Sequence, residues 1–110
     1  MELILTAIES YDYANVKALS FQGEGLEIRL ELPQKIIEEV NWNPSLGDRV
    51  VVELSEKISD LKEWDIVLSG TLLRMEADFA VYSFGGLLCS IRGSSVGAPK
   101  KAHFALRVKR

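Results

Sequence analysis

Few residues in this chain of 110 could do chemistry: one histidine, His103, and one cysteine, Cys89, stand among sixteen carboxylates. A structural zinc site takes four Cys or His ligands, so a single chain with one of each cannot assemble one. A Ser, His and Asp triad would have to form around a histidine on a terminal strand, and nothing in the sequence supports it. The acids Glu38 with Glu39, and Glu76 with Asp78, lack an identifiable base, nucleophile or metal partner, and they read as solvated surface. Cys89 reads as a buried, inert thiol, and His103 as a strand residue on the solvent face. One stretch has the composition of a ligand cradle: Gly85-Gly86 in VYSFGGLLCSIRG, residues 81–93. A phosphate cradle needs a helix starting after the glycines, to supply unpaired N–H groups and a favourable dipole. Here another apolar strand follows. The chain is therefore expected to be no enzyme by itself and to need no cofactor.

The elements around those residues alternate with period two. Leu26, Ile28, Leu30 and Leu32 share one face of a strand, and Glu27, Arg29 and Glu31 the other. GEG, residues 23–25, turns it against VKALSFQ, and LILTAIESY reads as a further strand ended near residues 12–15. RVVVELSE follows the turn residues of NPSLGD, and HFALRVK points Phe104, Leu106 and Val108 inward. WDIVLSGTLLRMEA, residues 64–77, is too long for an ordinary strand, and Gly70 marks a bend or bulge where it passes between two sides of a closed sheet. Gly85 and Gly86 as the two central turn residues pair Phe84 with Leu87, Tyr82 with Cys89 and Ala80 with Ile91. All six then share an apolar inward face. Ser83 with Leu88, Val81 with Ser90 and Phe79 with Arg92 form a mixed outer face. Only QKIIEEV, residues 34–40, is helical in pattern, with Pro33 just before it. About eight short strands predict one domain over residues 1–110: an all-β, closed antiparallel barrel with at most one short helix.

Composition is 47% hydrophobic and 26% charged, as in a soluble globular domain. No apolar run approaches the ~20 residues of a membrane span, and the start lacks a signal-peptide pattern. A lone cysteine agrees with a reducing compartment. A cytoplasmic protein is expected. The net charge of −3 is uneven: residues 1–65 carry 14 acids and 6 bases, and residues 66–110 carry 2 acids and 7 bases, giving −8 and +5. Lys100, Lys101, Arg107 and Lys109 are candidates for electrostatic contact with nucleic acid or an acidic protein face.

Three motifs then resemble one family. SFGGLLCSIRG is similar to the Ser, aromatic, Gly-Gly-Leu-Leu signature of RNA polymerase subunit 8, the small barrel subunit shared by eukaryotic nuclear RNA polymerases, which has an archaeal counterpart. SLGDRVVVEL resembles that family's Leu-Gly-Asp strand start. SGTLLRMEA resembles its Gly, Arg, hydrophobic, Glu segment, with Gly70, Arg74 and Glu76 at the matching positions. The eukaryotic long acidic loop is replaced here by the short SEKISDLKEW, as in the archaeal form. The resemblance implies an oligonucleotide-binding-type barrel acting as a noncatalytic polymerase subunit, bound chiefly to the largest subunit. Gly85, Gly86, Leu87, Leu88, Arg92 and Arg74 are then the partner-binding candidates. The alternative is an independent single-stranded nucleic-acid-binding barrel, which would combine a basic groove with aromatic platforms.

Overall fold

The computed structural model describes residues 1–12, 14–58, 60–93 and 98–110. Tyr13 in the expected turn and Ser59 in the short connection lie outside the described residues. Eight strands form a closed barrel: β1 (Glu2–Tyr11), β2 (Val16–Gly23), β3 (Leu26–Pro33), β4 (Arg49–Ser55), β5 (Ile66–Glu76), β6 (Phe79–Phe84), β7 (Leu87–Arg92) and β8 (Lys101–Val108). Their order around the barrel is β1-β2-β3-β7-β6-β5-β8-β4. Every neighbouring pair is antiparallel, and β4 returns to β1. Closure leaves no free sheet edge running the length of the barrel, as a sheet this apolar requires.

Alternation places the core. Ile28, Leu30 and Leu32 of β3 are buried, as are Phe104, Leu106 and Val108 of β8. Tyr82 and Phe84 stack with centroids 5.9 Å apart, and Phe104 lies 6.1 Å from Phe84. The helix α1 (Gln34–Glu39) covers one end of the barrel through Ile37 and, just beyond it, Trp42. The two carbonyls just beyond it are satisfied from the far end of the chain, since Arg110 donates to Val40 O at 2.8 Å and Asn41 O at 2.9 Å.

β5 changes partner midway, pairing with β8 over Ile66–Thr71 and with β6 over Thr71–Glu76. The switch follows Gly70, as its length and glycine imply. The bulge itself sits later, between Leu72 and Arg74. Gly70 is required for another reason. A Cβ there would lie 2.0 Å from the Ser83 carbonyl oxygen and 2.6 Å from the Phe84 ring. Gly85 and Gly86 differ: a Cβ at either meets nothing within 4 Å, but φ is +65° and +94°.

These contrasts set an expected order in urea denaturation. Gly70→Ala must push β6 outward and costs about 3 kcal/mol or more, as for overpacking against backbone that cannot yield. Gly85→Ala incurs only left-handed strain, about 1 kcal/mol. Equal midpoints for the two variants would contradict the close approach at Gly70.

Candidate functional site

The β6–β7 hairpin carries most of the candidate residues. Its register is Phe79 with Arg92, Ala80 with Ile91, Val81 with Ser90, Tyr82 with Cys89, Ser83 with Leu88 and Phe84 with Leu87, matching the pairing inferred from the sequence. Both turn glycines have positive φ, the pattern of a type I′ turn, and Gly86 N donates to Ser83 Oγ at 3.1 Å. Of the six inward residues only Leu87, beside the turn, is half-buried; the other five are buried.

Leu88 points outward beside the turn and is 42% exposed. The ladder between β3 and β7 stops at Leu30 with Cys89, so the Leu88 N–H has no strand partner. It donates instead to Glu31 Oε1 at 2.9 Å. A carboxylate thus closes the end of the ladder, and the Leu88 side chain stays free on the surface.

Arg74 and Arg92 lie elsewhere. Leu88 and Arg92 are four residues apart on one strand, ~13 Å. The arginines flank Phe79, which sits on the outer face of β6. Arg92 stacks at 4.7 Å from its ring centroid and Arg74 at 5.6 Å, one from β7 and the other from β5. Each has an acid nearby: Arg74 meets Glu76 at 3.3 Å, and Arg92 meets Asp78 at the long distance of 4.0 Å. Next to Arg92 an open groove of about 510 Å³ crosses β7, β3, β2 and β1. Its floor is small and hydroxylic, with Ser90, Ser20 and Thr6, and Arg29 reaches over it. Arg29 contacts the Tyr11 hydroxyl and lies 3.7 Å from Glu9 and 3.8 Å from Glu31.

The sequence pattern placed Phe79 opposite Arg92 on the outer face, but the convergence of Arg74 on the same ring depends on the bulge in β5. Arg29 was legible only as an outward residue of β3. Its place beside Ser90 follows from the β3–β7 pairing of strands 60 residues apart.

The C-terminal bases are dispersed. Lys109 is paired with Glu2 at 3.2 Å, Arg107 lies 6.0 Å over the Trp64 ring, and Lys100 and Lys101 are exposed. His103 shares a 2.7 Å hydrogen bond with Ser69 Oγ through Nδ1. Among the described residues, no carboxylate bonds to His103 and no group of three His, Cys, Asp or Glu could hold a metal ion. No helix among them is long and apolar enough to cross a membrane. The chain matches no protein-family model and no curated protein.

Cys89 is buried without exposure between Tyr82 and the β3 ladder. Burial pushes its thiol far above the ordinary range. Burial also raises the Tyr82 phenol, with Cys89 adding to it, and the Tyr82 hydroxyl donates to Pro99 O at 2.8 Å. For a thiol the charged form is the deprotonated one. The unfolded chain therefore loses its Cys89 proton near pH ~8.5 while the folded chain keeps it. Unfolding then releases a proton, so stability falls as pH rises above that value, by up to about 1.4 kcal/mol per pH unit. Urea midpoints measured from pH 7 to 10 should decline more steeply in the wild type than in Cys89→Ala, and parallel curves would count against a protonated Cys89. The native thiol should also resist alkylation until urea is added.

Proposed function

We propose that this protein is a noncatalytic, structural subunit of a DNA-directed RNA polymerase, of the subunit 8 type, that docks on the largest subunit. What supports this reading is the resemblance of three motifs, two of which also meet in space. Gly70 of SGTLLRMEA lies flat against the Ser83 carbonyl and the Phe84 ring of SFGGLLCSIRG, where no other residue fits. The two motifs therefore meet as one structural unit across the β5–β6 pairing. The third, SLGDRVVVEL, opens β4, where Gly47 N donates to Leu5 O at 2.8 Å and Leu5 N to Asp48 O at 2.9 Å. Three matches in sequence thus correspond to three constraints of one barrel. A shared barrel alone would not assign a role, because such barrels host unrelated functions. The role comes from the resemblance, and with it a cytoplasmic location and, from the short connection before β5, an archaeal form of the subunit.

The docking surface in this proposal is the turn end of the hairpin. Leu88 is an exposed apolar side chain, and Gly85 and Gly86 next to it lack a Cβ and admit a close-lying partner backbone. A barrel that binds single-stranded nucleic acid on its own is the second possibility, favoured by the outward Phe79 between Arg74 and Arg92.

The tagged chain, expressed in its native cells and washed in high salt, is expected to retain the largest polymerase subunit in equal amount; recovery of no polymerase subunit would overturn the proposal. Leu88→Asp should fold normally, because its side chain lies outside the core, yet lose most of that retention. Unchanged recovery would exclude this end of the hairpin from the interface. Submicromolar binding of the isolated chain to single-stranded DNA, falling steeply with salt, would favour the second possibility.

A further inference from the structure

The groove beside Arg92 is a second surface, at the other end of the hairpin from Leu88, and what it can hold follows from its own chemistry. We propose that it binds an extended peptide segment of a partner protein that carries a single carboxylate, taken by Arg92. This does not depend on which complex the protein belongs to.

Shape is the first ground. The lining residues Ser90, Ser20 and Thr6 are short, with Arg29 between the two serines, while the longer Phe79, Arg92, Glu27 and Gln22 form a cross-strand row along one side. The groove crosses four neighbouring strands, β7, β3, β2 and β1. At ~4.8 Å between strands this gives a channel ~15 to 19 Å long, the span of about five extended residues. Floor hydroxyls can donate to or accept from a peptide backbone lying across them.

Preorganisation is the second. The Arg92 guanidinium stacks 4.7 Å from the Phe79 centroid, and its acid neighbour Asp78 is only at 4.0 Å. The ring beneath it restricts the guanidinium, and the long contact to Asp78 leaves it able to take a further carboxylate, so less side-chain entropy is lost on binding. Arg29 enters the same groove on β3, paired with Ser90 and thus diagonal to Arg92.

Charge decides between a peptide and a nucleic acid. Glu27 is the cross-strand partner of Arg92 and lines the groove, and Glu9 and Glu31 flank Arg29. A strand of nucleic acid carries a phosphate at every nucleotide and would set several of them against these carboxylates. A peptide with one acid at the Arg92 end and uncharged residues beyond it sets a single carboxylate, paired with Arg92, near Glu27 and Asp78 and none near Glu9 and Glu31.

The test is a titration of the isotopically labelled full-length protein followed by amide NMR shifts. Three probes are used: a five-residue capped peptide with its acid at one end, Glu-Val-Thr-Val-Thr; its Gln analogue; and a ten-nucleotide oligo-dT. The Glu peptide is expected to shift Ser20, Ser90 and Arg92 saturably, with the Gln peptide about tenfold weaker, the usual worth of one charged hydrogen-bonded pair. Arg92→Gln should remove that preference while the remaining spectrum is kept, and Arg92→Lys, which retains the charge without the planar stack, should recover only part of it. Equal response to the two peptides, no response to either, a preference that survives in Arg92→Gln, or tighter binding of oligo-dT would each overturn the proposal.

Discussion

The seam between β1 and β4 is the constraint on which the barrel depends. All other neighbouring strands share at least four residue pairs, whereas β1 and β4 share three, Glu2 to Ile4 against Arg49 to Val51. Several bonds outside the ladder reinforce this short contact. The nitrogen of Met1 donates to Val52 O, and Val52 N donates to Met1 O. At the other end, Leu5 exchanges backbone hydrogen bonds with Gly47 and Asp48. Asp48 Oδ2 accepts from Trp42 Nε1 at 3.0 Å and from Ser45 N at 2.9 Å. One carboxylate thereby ties together the strand that closes the barrel, the turn before it and the indole that covers the barrel's end. Without closure, β1 and β4 would expose edges flanked by buried Leu3, Val50 and Val52, a combination that invites pairing with another chain.

Staggered closure has a cost at every ladder end, and acidic side chains meet part of it. A barrel whose strands are offset leaves N–H groups beyond the last cross-strand pair, and a side-chain acceptor can take the place of the missing strand. Glu31 takes the Leu88 N–H, and Asp65 takes the Val108 N–H at 2.8 Å. Both acids come from the first 65 residues and both donors from the last 45. The uneven charge of the chain therefore has a partly internal explanation, since acids of the first part meet backbone and bases of the second, as with Lys109 on Glu2 and Arg110 near Asp65. The C-terminal bases offer less free positive charge than their number suggests.

Much of the fold was legible because it is written locally. Alternation from Leu26 to Leu32 and from Phe104 to Val108 fixed which residues face inward, and Gly85-Gly86 fixed a hairpin register to the residue. The remaining pairings, β3 with β7, β5 with β8, β8 with β4 and β4 with β1, join distant segments whose alternation would suit several partners equally. Trp42 was likewise opaque, because burial of an indole in a turn depends on Asp48 being brought beneath it. The Arg74, Phe79 and Arg92 cluster needed three strands and a bulge. Its members were visible singly in the sequence, and their meeting was not.

The glycines that carry the family resemblance are occupied with the barrel itself, and this bears on how function can be read from them. Gly70 is dictated by a carbonyl 2.0 Å from where its Cβ would be, and Gly85 and Gly86 by positive φ. A protein that used this barrel for any purpose would need them. Discrimination between purposes therefore rests on side chains the barrel does not require. Leu88 is one, since its backbone N–H is satisfied by Glu31 whatever its side chain does. Arg92 is another, since its ion pair with Asp78 is long, at 4.0 Å, and exposed. Neither is demanded by packing, turn geometry or a buried hydrogen bond. An exposed leucine at one end of the hairpin and a stacked arginine at the other are thus the positions where selection for binding, rather than for folding, has room to act.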